Sequence, residues 1–175
     1  MSEQLERIRR AIRDVPDFPK PGILFKDIAP LLESAEAFRT TIDLFEAHWA
    51  GKGVERIAAL ESRGFPFGAA LALRLGVGFA MLRKPGKLPY EKRGVDYELE
   101  YGSDRIEMHI DSVEAGQKVL LVDDLLATGG TAGAALRLLK EAGAEVVGCA
   151  FVVELAFLNG AERLGSTPVN ALLRY

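Results

Sequence analysis

Val119–Gly143 reads VLLVDDLLATGGTAGAALRLLKEAG, and its order of residue types decides the fold. Val119 to Val122 is short and continuously apolar, the pattern of a parallel strand covered on both faces. Asp123 and Asp124 stand at its carboxyl end, where open α/β sheets collect their ligands. Gly129 and Gly130 then allow a tight turn and close backbone approach. Thr131 leads into a helix whose apolar positions Ala132, Ala135, Leu136 and Leu139 recur at helical spacing and face the sheet. The free N–H groups at that helix start, together with the threonine hydroxyls, form a cup for a phosphate. Paired carboxylates beside a phosphate suit a polar, uncharged partner, and ribose hydroxyls fit.

Two better-known phosphate motifs are excluded at this turn. A P-loop needs a lysine directly after the second glycine, and a dinucleotide fingerprint needs G-x-G-x-x-G; the turn has neither. NTPase and dehydrogenase readings are weakened accordingly.

Outward from this unit, the apolar pattern gives strands at Glu55–Leu60, Gly78–Leu82 and Glu145–Val153. Helices are expected from about Ala35 to Gly51 and from about Phe67 to Leu75. The βαβ order makes this an α/β protein with a mainly parallel sheet flanked by helices. Before it, Leu5, Ile8 and Ile12 recur at 3–4 spacing, which predicts an amphipathic helix from Glu3 to Val15, ended by Pro16. Pro16, Pro19, Pro21 and Gly22 exclude regular structure there. The segment Lys84–Asp104 breaks the βα rhythm: KPGKLPYEKRG is rich in Pro, Gly and charge, and VDYELEYGSDRIEMHI alternates across Gly102-Ser103 as an antiparallel hairpin.

Composition bounds the function. The 175 residues are 49% hydrophobic and 27% charged, enough for one domain, 1–175, with a sizeable core. A net charge of -3 offers no broad basic surface, so neither nucleic acid nor a membrane is an expected partner. The charged start MSEQLERIRR is unlike a signal peptide, and nowhere do about 18 apolar residues run together, so a soluble, cytoplasmic protein is expected. Cys149, the one cysteine, sits in an apolar run and reads as a packing residue. His48 and His109 lack metal-pair spacing, and no direct metal ligand is assigned.

VDDLLATGGTA resembles the phosphoribosyl-pyrophosphate (PRPP) motif of type I phosphoribosyltransferases. Together with PDFPKPGILFKDIAPLL, ESRGFPFGAALALRLGVGF, RKPGKLP and YELEYGSD, in that order along the chain, it is similar to the adenine phosphoribosyltransferase family. That resemblance implies the type I fold with a hairpin lid over 84–110 and a small N-terminal hood over 1–33. It also implies conversion of adenine and PRPP to AMP and pyrophosphate in purine salvage, with Mg2+ carried mainly on PRPP, by a homodimer.

Residue by residue, the resemblance gives Asp123 and Asp124 the ribose hydroxyls, and Ala127, Thr128, Gly129, Gly130 and Thr131 the 5'-phosphate. Arg63 and Lys84 fall near the pyrophosphate, with Lys87 beside them and a cis peptide expected at Glu61-Ser62. Glu100 becomes a candidate for hydrogen bonding or proton exchange at purine N7, and Tyr101 for positioning substrate. The base falls to the hood, with main-chain groups near Leu24 and Lys26 and side chains of Phe25 and Leu125. From the residues alone, Arg63 also reads as a surface arginine, Lys84 and Lys87 as solvated loop lysines, Phe25 as a core residue, and Glu98 with Glu100 as one exposed strand face. Tyr90, Lys92 and Arg93 depart from the smaller or uncharged residues common in the family. Another purine base, or a PRPP-binding regulator of the same fold, stays open as an alternative.

Overall fold

The computed structural model describes residues 2–98 and 102–175. In chain order the elements are α1 (Glu3–Arg10), β1 (Arg13–Pro16), β2 (Leu24–Asp27), α2 (Ala29–Glu33), α3 (Ala35–Trp49), β3 (Arg56–Leu60), α4 (Gly64–Leu75) and β4 (Gly78–Leu82). They continue with β5 (Lys92–Glu98), β6 (Ser103–His109), β7 (Lys118–Leu126), α5 (Gly130–Glu141), β8 (Glu145–Glu154) and β9 (Val169–Arg174); short 3-10 turns occupy Ala156–Leu158 and Gly160–Leu164.

Five parallel strands form the central sheet in the order β4-β3-β7-β8-β9. Its strands carry apolar side chains on both faces, as a parallel sheet requires. Along β3, Ala58 and Leu60 join α5 and the β5–β6 hairpin in one buried cluster, whereas Ile57 and Ala59 join α1, α3 and α4 in the other. From β3 the chain turns first to β4 on one side and later to β7 on the other. The carboxyl ends of β3 and β7 therefore border the point where strand order reverses, the position at which open α/β sheets form their crevice.

Several boundaries differ from the sequence expectation, and Pro16, expected to exclude regular structure, ends strand β1. Helix α1, capped by the Ser2 hydroxyl accepting from the Leu5 N–H at 3.3 Å, ends at Arg10 rather than Val15. The residues beyond it pair antiparallel with β2, from Arg13↔Asp27 to Pro16↔Leu24, and Ile12 is buried without being helical. Strand β7 continues past the carboxylates to Leu126, because Leu125 and Leu126 pair with Val153 and Glu154 of β8. Helix α4 begins at Gly64, three residues before the apolar periodicity starts.

The β5–β6 hairpin forms as expected, but its inner face belongs to the core: Val95, Tyr97, Ile106 and Met108 are buried in the α5-side cluster. Cys149 is fully buried, and burial pushes its thiol up to about 12. Among the described residues no helix is long and apolar enough to cross a membrane.

Candidate active site

At the carboxyl ends of β3 and β7 lies a cavity of about 250 Å³. Glu61, Arg63, Lys84, Asp123, Asp124, Leu125 and the whole turn from Ala127 to Thr131 line it. Ten of the residues singled out in the sequence come together here, Leu125 among them although the sequence reading assigns it to the base; Glu61, Leu126 and Ala132 are additions.

The turn is built by close backbone packing. Gly129 has φ +79, and a Cβ there would fall on the Gly160 carbonyl oxygen; a Cβ on Gly160 would in turn fall on the Ala127 carbonyl oxygen. The segment around Gly160 thus backs the turn and fixes its curvature. Helix α5 begins without any side-chain cap, so its first-turn N–H groups remain available at the cavity. Together with the helix dipole, these donors favour an anion.

Asp124 is buried and Asp123 half-buried. Burial pushes the Asp123 carboxyl well above the ordinary aspartate range, and the neighbouring Asp124 carboxyl pushes in the same direction. Asp124 is raised too, since burial outweighs the pull of Arg63, whose Nε lies 3.0 Å from its Oδ2. Asp123 Oδ1 accepts the Asp124 N–H at 2.9 Å. Gly64 lets α4 start directly against this strand, because a Cβ there would meet Asp123 Oδ1 and the Val122 carbonyl at 2.9 Å. Carboxylates held this way are stabilised by neutral donors such as a vicinal pair of hydroxyls.

Arg63 joins this cavity to a second one. Its guanidinium carbon lies 5.1 Å from the centroid of the Phe25 ring, and Phe25, Phe18, Val15 and Asp27 line a cleft of about 260 Å³ in the hood. Phe18 meets Phe25 edge-on with centroids 5.1 Å apart. The Asp27 carboxyl is held below its ordinary range by the Ala29 N–H and by Arg13, and so remains ionised as a brace for the hood. Leu24 is half exposed and Lys26 buried, and neither side chain lines the cleft.

Lys84 is held at the cavity rim by the hairpin. Its ammonium donates to the Asp104 carboxylate and, at 2.6 Å, to the Tyr97 hydroxyl. That hydroxyl also accepts from Thr131 Oγ1 at 3.2 Å and donates to Asp104 at 3.1 Å, so its donor and both acceptor positions are used. Burial disfavours the Lys84 ammonium, but its bonds to Asp104 and Tyr97 outweigh that and hold its pKa above the usual lysine value. Asp104 is shifted down despite its burial, by Lys84 and the Arg105 N–H.

Lys87 is exposed and lies outside the cavity lining; its carbonyl accepts from Arg83. Glu100 and Tyr101 lie outside the described residues. The peptide Glu61-Ser62 is cis. Tyr97, Asp104 and Arg163, whose guanidinium approaches the turn at Gly130, escaped sequence reasoning. Alternation along β5 places Tyr97 inward, but nothing in the sequence pairs it with Asp104.

Residues 39–164 match the phosphoribosyl transferase domain. An adenine phosphoribosyltransferase of Anaeromyxobacter dehalogenans is 53% identical over 171 residues, covering 98% of this chain and 99% of its own. The chain belongs to the adenine phosphoribosyltransferase family. Among solved members of that family, the Thermoanaerobacter pseudethanolicus enzyme superposes with a TM-score of 0.95 at 50% identity, covering 98% of this chain and 99% of that one. The Saccharomyces cerevisiae enzyme, complexed with an imino-altritol bisphosphate and adenine, gives 0.94 at 42% identity, covering 99% and 100%. The mainly parallel α/β architecture expected from the sequence is the family's architecture.

Proposed function

We propose that this chain transfers the 5-phosphoribosyl group of PRPP to adenine, giving AMP and pyrophosphate in purine salvage. One observation carries the reading: Arg63 links a cavity with an acidic pair and an uncapped helix start to an aromatic cleft large enough for a flat base.

In this reading the α5 N–H groups and the hydroxyls of Thr128 and Thr131 take the 5'-phosphate, and Asp123 and Asp124 accept from the ribose 2'- and 3'-hydroxyls. Adenine lies against Phe25 in the hood, near Leu125 and the main chain of Leu24 and Lys26. Purine N9 forms a bond to the anomeric carbon while the bond from that carbon to the pyrophosphate oxygen breaks, and the electron pair leaves with pyrophosphate. Positive charge that develops on the ribose ring is offset by the nearby acidic pair, and negative charge on the leaving group by Arg63 and Lys84, with Lys87 close by. The proton lost from the imidazole ring is managed at N7 by Glu100, and Tyr101 positions the closed complex. No side chain is consumed as a nucleophile; binding both substrates in register supplies much of the acceleration.

Among the described residues no group of three or more His, Cys, Asp or Glu could hold a metal ion. A hard cation bound through PRPP oxygens and water fits that donor set better than one in a protein cage. Mg2+ so bound would neutralise pyrophosphate charge beside Asp123 and Asp124. The hood (1–33) and the lid (84–110) close one active domain, in a cytoplasmic homodimer.

AMP formation from PRPP and Mg2+ with adenine, guanine, hypoxanthine and xanthine in turn tests this. Adenine is expected to dominate. Preference for a 6-oxo purine would overturn the base assignment, and PRPP binding without turnover of any base would make the chain a regulator. Light scattering tests the dimer.

A further inference from the structure

Lys26 is a costly residue to bury, and its surroundings show what keeps it there. Strand alternation on β2 turns Phe25 to the base cleft and Lys26 to the body of the protein, where its side chain is only 8% exposed. Its ammonium donates to Asp14 Oδ1 at 2.6 Å, across the ribbon from it. One carboxylate satisfies only part of an ammonium's three donors. The Tyr175 ring covers another side, with its centroid 3.9 Å from Lys26 Nζ. The Arg9 guanidinium carbon of α1 lies 5.0 Å from the same centroid.

Tyr175 is itself fixed to the main sheet. Its N–H donates to the Glu154 carbonyl at 3.0 Å, and its own carbonyl accepts from the Ala156 N–H at 2.9 Å. One aromatic ring anchored on the β8–β9 end of the sheet thus meets cations from both parts of the hood. The β1–β2 ribbon forms a separate two-stranded sheet, so contacts of this kind set its position relative to the cavity.

We propose that Tyr175 is a positioning residue for the base: its ring pins Lys26, and through it the strand Leu24–Asp27 that carries Phe25 to the cleft. The inference rests on the base-binding role of the hood proposed above. Desolvated cation–π contacts are strong enough to move affinity about five- to tenfold. PRPP binds at the far side of Arg63, so its affinity should not follow.

The test replaces Tyr175→Leu, which keeps apolar bulk without the π face, and Tyr175→Phe, which keeps the ring. Wild-type turnover of the purine panel comes first and fixes the base whose KM is read. If that base is not adenine, the proposed substrate fails while the clamp is still measured. For Tyr175→Leu the base KM rises about five- to tenfold, with kcat and the PRPP dissociation constant within twofold of wild type. Tyr175→Phe restores the base KM. Combining Tyr175→Leu with Lys26→Met adds no further rise. An unchanged base KM in Tyr175→Leu overturns the proposal; so does a parallel rise in PRPP dissociation constant, or failure of Tyr175→Phe to restore, either of which marks a merely structural role.

Discussion

The phosphate turn and the hairpin beside it reach the same residue, Thr131, by opposite means. The turn is made by backbone: Gly129 in the left-handed region, Gly160 packed behind it, and a helix start left uncapped. The hairpin arrives through side chains, with Tyr97 accepting from Thr131 and Lys84 while donating to Asp104. Backbone geometry gives a fixed cup that cannot adapt. A network of exchangeable hydrogen bonds gives a connection that an incoming anion can compete for, since its oxygens would stand in for the one Asp104 now offers Lys84.

Gly129 is where the backbone turn tolerates change least. Gly129→Ala must place a Cβ in a left-handed conformation and against the Gly160 carbonyl. The conformation costs about 1–2 kcal/mol and the overpacking about 1–3 kcal/mol more. Urea denaturation should show that loss, and calorimetry should find PRPP binding abolished. Near-native binding would mean the cup is adaptable after all. Asp124→Asn comes next. It replaces a charged acceptor, worth about 1.5–3 kcal/mol to a hydroxyl donor, by a weaker neutral one, so kcat/KM for PRPP should fall by up to about 100-fold with the fold kept, as circular dichroism would verify. Thr128→Ala should fall in the same direction by less; full activity in both would remove the ribose-phosphate assignment.

What could be read in the sequence follows the same division. The β7–α5 unit is local: apolar run, acidic pair, glycines and helix are consecutive, and each residue type constrains the backbone at its own position. The hood and hairpin depend on distant partners. Leu5, Ile8 and Ile12 share a helical spacing, yet the chain leaves α1 at Arg10 because β2 supplies an antiparallel partner that no local pattern announces. Strand β7 extends past its carboxylates because β8 does. Tyr97 sits opposite Asp104 in the β5–β6 register, and Lys84 joins them from another segment. Arg63 could be assigned to an anion site, but its place over Phe25 required the folded hood.

A smaller change sharpens the contrast from the hairpin side. Tyr97→Phe keeps the buried ring and removes only the hydroxyl shared by Thr131, Lys84 and Asp104. Net hydrogen-bond contributions of about 0.5–1.5 kcal/mol correspond to about a two- to tenfold rise in KM for PRPP. The rise should appear with the base KM unchanged in steady-state kinetics. No change in KM would leave the tie between hairpin and turn without a role in substrate binding.

The smallest expected effect concerns the cost of keeping the cup charged. Asp123 has a native pKa raised by burial and by Asp124, so the folded state holds its proton more tightly than the unfolded state. Its contribution to stability is therefore greatest below the ordinary aspartate value of 3.8 and is lost progressively as pH rises towards the elevated native value. Asp123→Asn removes that titration while its amide oxygen can still accept the Asp124 N–H. Without ligand, the variant's melting temperature should lack this decline and lie above wild type at pH 7; each kcal/mol is about 2–4 °C in a chain of this length. Saturating PRPP should reverse the order, because ligand binding stabilises by mass action and the variant binds more weakly. Scanning calorimetry from pH 4 to pH 8, with and without PRPP, reads both. A variant less stable than wild type at every pH without ligand would mean that the acidic pair stabilises the fold, and that the energetic division between backbone cup and side-chain network does not hold at its centre.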